Sequence, residues 1–304
     1  SAYFQSGRVG AASKQLNNFL SVFLDSAYRN DAQYLLALSL YKQGQFQKAI
    51  DCFKKVLLRL DTHDELAEKI EYEIAHTLYR MGYEDEAVDR FGEFIRQHPN
   101  SSFVPRITFW LGQYYYRNRQ FDLSRKNFET VIRNFTHDTF VFEAHYQIGL
   151  TYLAEEKYED AMRTFKRLLD SCEAVAQKAK VMLAIGDLLV VAGQQQEAVK
   201  TYKELTQLVS FNTISVSVHD ANMVKTPESL KLRQEKAKSV IDDEVSSKIV
   251  EESEASSFVR MACIRLGDYY QENAQFQEAL SFYNQALQFP LQGLRAQIQF
   301  KIAE

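Results

Sequence analysis

The sequence contains little proline and little glycine: its 304 residues include only 4 Pro and 11 Gly. An all-β chain needs far more of both at its turns, so this composition favours long helices joined by short turns. Long hydrophobic runs are also missing, because the longest apolar stretch, 181–192, is interrupted by Asp187 and is too short to cross a bilayer. We therefore expect an all-α chain with no transmembrane segment.

Cysteine and excess charge are scarce as well. The 3 cysteines, Cys52, Cys172 and Cys263, form no CxxC pair, so they predict neither a disulfide framework nor a zinc site. The chain carries 36 Lys and Arg against 40 Asp and Glu, a balance that disfavours nucleic acid as a partner. No HExxH, GxSxG or glycine-rich phosphate loop occurs. We predict no catalytic residue, no cofactor and no metal, and hence no enzyme.

What the sequence does contain is a repeat, marked by small residues separated by 37, 38, 37, 37 and 37 positions. A bulky residue such as Phe53 or Phe165 follows each small residue by four positions, and another small residue precedes the last five by twelve. This spacing predicts helical hairpins, because small residues let two helices approach and the bulky residue fills the space between them. Gly44, Gly82 and Gly193 fall in the predicted turns. The six repeating small residues are Ala12, Ala49, Ala87, Ser124, Ala161 and Ala198.

The period fails after the sixth copy and returns in a seventh copy around Ala279. We predict repeats one to six in 1–211, an insertion over 212–257, and repeat seven with the start of an eighth in 258–304. The insertion, with a short β-hairpin pattern before a charged stretch, is either a solvated loop with a helix leading into repeat seven or a partner-binding arm. The chain lacks an initiator Met and ends within a predicted helix, so we expect a fragment with exposed terminal repeats that could self-associate.

The motif Leu36-Ala37, Gly44, Phe46, Ala49, Phe53 and Val56 resembles the tetratricopeptide-repeat family. The resemblance implies a right-handed superhelix of about seven stacked hairpins, truncated at the ends and interrupted by one irregular insertion. Stacking buries the apolar side of each hairpin against its neighbours. The period of 37 exceeds the usual 34 because of three extra residues between hairpins. Asp25, Ser26, Ser101 and Ser102 in those linkers are expected to cap the following helices.

The lengthened linkers are similar to those of a bacterial envelope subgroup that includes outer-membrane-protein assembly lipoproteins and Tol-Pal-associated cell-division coordinators. This similarity implies a scaffold in a periplasmic or other envelope assembly. The alternative is a cytoplasmic adaptor or regulator whose output is carried by regions outside this fragment.

The family resemblance also implies a non-enzymatic role, in which first helices hold a protein or peptide in a concave groove. The pairs Tyr41-Lys42, Tyr79-Arg80 and Tyr116-Arg117 predict a ladder of aromatic faces and bases, suited to a peptide with acidic and apolar residues. The alternative is that these tyrosines pack along their own helices and the bases are solvated. Farther along, Leu150, Leu183 and Val190 predict an apolar stretch, which we expect to be covered by the insertion folding back, by a second copy of the chain or by the physiological partner. The predicted partner-binding residues are Tyr34, Tyr41, Lys42, Tyr72, His76, Tyr79, Arg80, Arg106, Phe109, Gln113, Tyr116 and Arg117.

Overall fold

A computed structural model describes residues 9–61, 64–136, 138–208, 254–289, 298–299 and 301–302. These ranges contain helices and no strand, which confirms the all-α prediction. The helices are α1 (Val9–Val22), α2 (Arg29–Lys42), α3 (Phe46–Leu57), α4 (Glu65–Arg80), α5 (Glu84–Gln97), α6 (Val104–Arg117), α7 (Phe121–Asn134), α8 (Phe140–Ala154), α9 (Tyr158–Ser171), α10 (Val175–Val191), α11 (Gln195–Leu208), α12 (254–272) and α13 (Phe276–Leu287). No helix in these ranges has both the length and the hydropathy required to span a membrane.

Consecutive helices form the predicted hairpins through contacts between small and aromatic residues. A methyl group on Gly149 of α8 would lie 2.4 Å from the Phe165 ring of α9. The same relation joins Gly186 to Tyr202 in the hairpin of α10 and α11, where the distance would be 2.3 Å. Gly267 and Tyr283 repeat it between α12 and α13. Glycine is therefore required at these three positions, because an aromatic ring fills the space that a side chain would need.

The turns inside the hairpins adopt a left-handed backbone conformation, as predicted for glycine at these positions. Gly44, Gly82 and Gly193 have φ angles of 74°, 88° and 76°. Three other turns place Arg119, Glu156 and Ala274 in the same region, with φ between 57° and 60°. These three turns keep the left-handed geometry without glycine, although the conformation strains the backbone of any residue that carries a side chain.

The linkers before α2 and α6 depart from the predicted capping. Tyr28, rather than Asp25 or Ser26, is the N-cap residue of α2, and its side chain makes no capping hydrogen bond. The Ser26 hydroxyl instead accepts the Tyr28 N–H at 3.2 Å, and Ser101 accepts the Phe103 N–H at 3.4 Å. These serines accept hydrogen bonds in the turns that precede the helices, and the prediction of Ser26 as an N-cap was wrong because it lies two residues before Tyr28.

The structure divides into two compact units, Ser1–Arg117 with Arg133–Phe140, and Asn118–Ile132 with Val141–Glu304. In unit 1, α2 to α6 pack around Phe53, Ile70 and Phe91, which are at most 1% exposed, and α1 packs on α2 through Leu20 and Leu36. In unit 2, a single hydrophobic cluster runs through Phe165, Leu188, Leu205, Leu266 and Tyr283.

Most of the predicted insertion lies outside the described residues, and its last four positions, 254–257, belong to α12. Helix α12 packs on the sixth hairpin: Val259 and Leu266 share a cluster with Leu188. The Arg265 Nε also donates a hydrogen bond to Asp187 Oδ1 at 3.1 Å. The seventh hairpin therefore stacks on the sixth although about 45 residues separate α11 from α12 in the chain.

Candidate functional site

The predicted tyrosine and base pairs end three helices of unit 1, with Tyr41-Lys42 on α2, Tyr79-Arg80 on α4 and Tyr116-Arg117 on α6. The α2 and α4 helices meet where the Tyr41 hydroxyl lies 3.3 Å from His76 Nδ1. The α4 and α6 helices meet where the Tyr79 ring packs edge-on against Trp110, with centroids 5.0 Å apart. The Arg117 guanidinium lies 5.5 Å from the Tyr79 ring centroid. We call this surface the α2–α4–α6 strip.

Glu73 on α4 was not predicted as a site residue, although its charge acts on tyrosines of the strip. Burial of Tyr34 raises the pKa of that tyrosine to about 12, and the negative charge of Glu73 adds to the shift. Burial also raises the pKa of Tyr41, where the charge of Glu73 adds to the shift and that of Arg80 opposes it. Burial raises the pKa of Glu73 itself, and the nearby Arg106 guanidinium offsets part of that shift. Burial also raises the pKa of the neighbouring Tyr72, and Arg106 opposes that shift through its charge and a side-chain hydrogen bond. Glu73 is therefore a half-buried acid that Arg106 compensates in part.

The charge of Glu73 acts on three tyrosines of α2 and α4 whose rings pack on other aromatic residues. The Tyr72 ring is stacked parallel to the His76 ring at 6.0 Å and packs on Phe103 at 5.0 Å. The Tyr34 ring packs on the Phe53 ring of α3 at 5.8 Å. We call Tyr34, Tyr41, Tyr72 and Glu73 the Glu73 cluster.

His76 is held as a neutral imidazole at the edge of this cluster. Burial lowers its pKa, and the positive charges of Arg80 and Arg106 lower it further. A neutral ring nitrogen can accept the Tyr41 hydroxyl, which protonation of His76 would prevent. His76 therefore orients Tyr41 and adds no positive charge to the site at neutral pH.

The remaining predicted residues divide by exposure. Lys42, Arg80, Arg106 and Arg117 are exposed, whereas Gln113 and Tyr116 are half-buried. Phe109 is only 7% exposed and stacks on Phe140 at 5.0 Å, so little of its side chain could contact a partner. The structure thus brings Tyr34, Tyr41, Tyr72, His76, Arg80 and Arg106 around Glu73, places Tyr79 with Arg117 beside Trp110, and sets Phe109 into the packing.

Glu73 and Trp110 were missed because the predicted site residues did not include the helix position directly after Tyr72 and Phe109. The available signal for Glu73 was an acid that follows Tyr72 directly and precedes His76 by three residues on the same helix.

In unit 2, charged and aromatic side chains of the first helices bind other side chains of the same unit. The Lys180 ammonium lies 4.4 Å from the Tyr146 ring centroid and pairs with Glu143. Asp187 accepts the Tyr202 hydroxyl at 2.7 Å and the Arg265 Nε–H.

The apolar stretch predicted in unit 2 is mostly covered by the repeats themselves. Leu183 is 6% exposed, and Leu150 packs on the core cluster of the unit. Only Val190, at 47% exposure, remains open among the three residues that suggested the patch. A second chain is therefore not needed to cover Leu183, because it is already buried within the unit.

Among the described residues, no group of three or more His, Cys, Asp or Glu is arranged to hold a metal ion. The three cysteines are free, and two of them, Cys172 and Cys263, are buried. Burial raises the pKa of the Cys263 thiol to about 12 and so keeps it protonated.

Comparison with known families and structures agrees with the hairpin architecture. Models described as tetratricopeptide repeat match residues 31–60, 72–138, 109–176, 146–212 and 262–290. No curated protein matches the chain.

Solved structures resemble this chain at low sequence identity. The C-terminal part of a TPR repeat-containing protein from Cytophaga hutchinsonii has a TM-score of 0.61 and 13% identity, with 99% of this chain and 96% of that chain covered. A tetratricopeptide repeat protein from Parabacteroides merdae has a TM-score of 0.53 and 10% identity, with coverage of 99% and 94%. BtubC from P. vanneervenii has a TM-score of 0.54 and 17% identity, with coverage of 73% and 97%.

These structures share the stacked helical hairpins seen in both units, and the family models match the same hairpins in sequence. Together with the repeated small and aromatic residues, they show that the chain belongs to the tetratricopeptide-repeat family.

Proposed function

We propose that the chain is a non-enzymatic scaffold that binds a protein segment along the α2–α4–α6 strip. Tetratricopeptide-repeat proteins generally act as scaffolds for protein interactions, and the fold is typically non-catalytic. The observation that carries the proposal is the combination of half-buried tyrosines with exposed bases on three neighbouring helices. Tyrosine offers a large, rigid contact surface, and arginine binds carboxylates through paired hydrogen bonds.

The exposed bases determine the character of the bound segment. Lys42, Arg80, Arg106 and Arg117 all lie at the exposed surface of the strip. The side chains between them are aromatic, so the strip favours a segment that alternates acidic and apolar residues.

Self-association through the terminal repeats is a further proposal, tested by measuring the mass of the chain in solution as its concentration is raised.

The strip is tested by replacing Tyr79, Arg80, Tyr116 and Arg117 with alanine together. Partners captured from cell extracts by the wild type should be lost by this variant, because the aromatic surface and two of the bases are removed. Circular dichroism checks that helicity is retained. A matched control replaces exposed residues of α5, Asp89 and Glu93, with alanine and should keep the same partners. Equal capture by all three proteins would contradict the proposed strip.

We also propose, as the finer assignment, that the scaffold works in a bacterial envelope assembly. The support is the 37-residue spacing and the lengthened linkers, such as the residues between α5 and α6. Capture from separated envelope and cytosolic extracts tests this assignment. A partner found only in the cytosolic extract would favour a cytoplasmic adaptor instead.

A further inference from the structure

We propose that a cavity between α1, α2 and α3 of unit 1 binds an acidic segment of a partner protein, with Lys14, Lys48 and Lys55 as the bases that pair with its carboxylates. The cavity has a volume of about 600 Å³ and is lined by residues of all three helices and of the turn after α2. It contains no residue of the α2–α4–α6 strip. It is therefore a second binding surface, and it does not depend on the proposed function of the strip.

The lining of this cavity carries more positive than negative charge. Three exposed lysines belong to it, whereas Asp51 is its one acid. The Asp51 carboxylate accepts a hydrogen bond from Gln47 at 3.1 Å, and among the described residues no carboxylate forms an ion pair with the three lysines. Elsewhere in unit 1 a lysine is paired within its own helix, as Lys69 is with Glu65 at 2.7 Å. Unpaired lysines around one cavity repel each other, and a bound anion relieves that repulsion.

Two of the lysines lie on one wall at a defined spacing. Lys48, Cys52 and Lys55 follow one another at intervals of four and three residues along α3, so they share one side of that helix. Lys48 and Lys55 are therefore about 10 Å apart along the helix axis. Lys14 reaches the same cavity from α1.

A chain of hydrogen bonds connects α1 to α3 through the turn between α2 and α3. The Gln43 amide donates to the hydroxyl of Ser13, which is 8% exposed. The Gln45 amide donates to the Gln43 side-chain oxygen at 3.2 Å, and Lys48 donates to the Gln45 side-chain oxygen at 3.0 Å. All four residues line the cavity. The wall that carries Lys48 is thus connected to α1 before any ligand binds.

The spacing of the lysines and the apolar base favour a peptide over a compact anion. In an extended segment, two acidic residues three positions apart are separated by about 10 Å, which matches the spacing of Lys48 and Lys55. The base contains Leu36, which is 3% exposed, and the half-buried Leu40. These leucines suit an apolar side chain between the two acids. A phosphate group would use the charges of the cavity but not its apolar base.

Cys52 is a natural reporter for this cavity. Its thiol is half-buried in the lining, whereas Cys172 and Cys263 are buried in the core of unit 2. Burial raises the pKa of the Cys52 thiol, and the charge of Lys55 opposes that shift. A thiol reagent should therefore modify Cys52 first, at a rate that depends on the charge in the cavity.

The first test measures that charge on the whole wild-type chain. Cys52 is modified with a methanethiosulfonate that carries a sulfonate and with one that carries a trimethylammonium group, and mass spectrometry of the Cys52 peptide gives each rate. Relative to their rates with free cysteine, the sulfonate reagent should react several-fold faster, and about 1 M salt should abolish the difference. A variant with Lys14, Lys48 and Lys55 all changed to glutamine should also abolish it. The matched control is Lys54→Gln, an exposed residue of α3 outside the lining, which should keep the difference.

The second test identifies the ligand class. A display library of random linear peptides is depleted on the three-lysine variant and then selected on the wild type. The enriched peptides should carry two acidic residues about three positions apart and should protect Cys52 from modification. They should bind the three-lysine variant about tenfold more weakly, because three exposed ion pairs are lost, and should bind Lys54→Gln and the four-alanine strip variant like the wild type. Inorganic tripolyphosphate should protect Cys52 less than these peptides do at equal concentration.

Three results would overturn the proposal. Equal relative rates for the two reagents on the wild type would show that the cavity does not attract anions, and this measurement needs no variant. Protection of Cys52 by tripolyphosphate as strong as that by the peptides would assign the cavity to compact anions instead. Enriched peptides that leave Cys52 reactive and are lost by the four-alanine variant would bind the strip, so the proposed function would stand while the cavity site would not.

Discussion

Units 1 and 2 carry the same hairpins but differ in how their first-helix acids are compensated. In unit 2, Glu143 pairs with Lys180, and Asp187 is bonded to Tyr202 and Arg265. In unit 1, burial raises the pKa of Glu73, Arg106 offsets only part of that shift, and the bases of the strip are exposed. Groups paired internally add stability, whereas a buried acid that is only partly compensated lowers it. The contrast predicts that substitutions in unit 2 act mainly on stability and those on the strip of unit 1 mainly on binding.

The largest expected effect is that of Gly186→Ala in unit 2. The added methyl would lie 2.3 Å from the Tyr202 ring, which is 2% exposed and has no space into which to move. Overpacking of this kind should lower the free energy of unfolding by about 2 to 3 kcal/mol, measured by urea denaturation. The control is Gly92→Ala on α5, where a methyl meets nothing within 4 Å. It should be neutral or stabilising by up to about 1 kcal/mol, and a comparable loss at both sites would refute the steric explanation.

A smaller effect is expected when the Tyr202 hydroxyl is removed by Tyr202→Phe. This hydroxyl, on a ring that is 2% exposed, donates to the Asp187 carboxylate at 2.7 Å, so its loss should lower the free energy of unfolding by about 1 to 2 kcal/mol. The comparison in unit 1 is Tyr41→Phe, whose hydroxyl lies 3.3 Å from the neutral ring of His76. We expect a loss below about 0.5 kcal/mol there. Equal losses would mean that the two hydroxyl hydrogen bonds stabilise their units to the same extent.

Glu73→Gln should act in the opposite direction and depend on pH. Because the folded-state pKa of Glu73 is raised, the folded chain binds more protons than the unfolded chain between the ordinary and the raised pKa values. Stability contributed by this group is therefore lost as pH rises through that interval. Removing the acid should raise the thermal midpoint at pH 7 and leave it nearly unchanged at pH 4. A variant less stable than wild type at pH 7 would show that Glu73 has a stabilising partner in the folded chain.

The hairpins of both units were predictable because their small and aromatic residues recur at fixed spacing. Gly186 and Tyr202 illustrate this: the sequence places them 16 residues apart, and the structure joins them. The family register also identified Tyr41, Tyr72 and His76 as first-helix residues on one surface. It did not identify Glu73, because its significance depends on burial and on side chains from α2 and α6 that sequence spacing does not bring together. The prediction of Ser26 as an N-cap was wrong because a turn lies between this residue and the start of α2.

The smallest expected effect concerns the left-handed turns, where the units also differ. Both such turns in unit 1 use glycine, at Gly44 and Gly82, whereas Ala274 in unit 2 adopts the same conformation with a side chain. Ala274→Gly should raise the free energy of unfolding by about 0.5 to 1 kcal/mol, because the strain removed exceeds the added entropy of the unfolded chain. Gly82→Ala should cost about 1 kcal/mol from backbone strain alone, since a methyl there meets nothing within 4 Å. Both changes are measured by urea denaturation. If both were neutral, the turn geometry that recurs along the chain would be imposed by packing of the helices rather than by the residue in the turn.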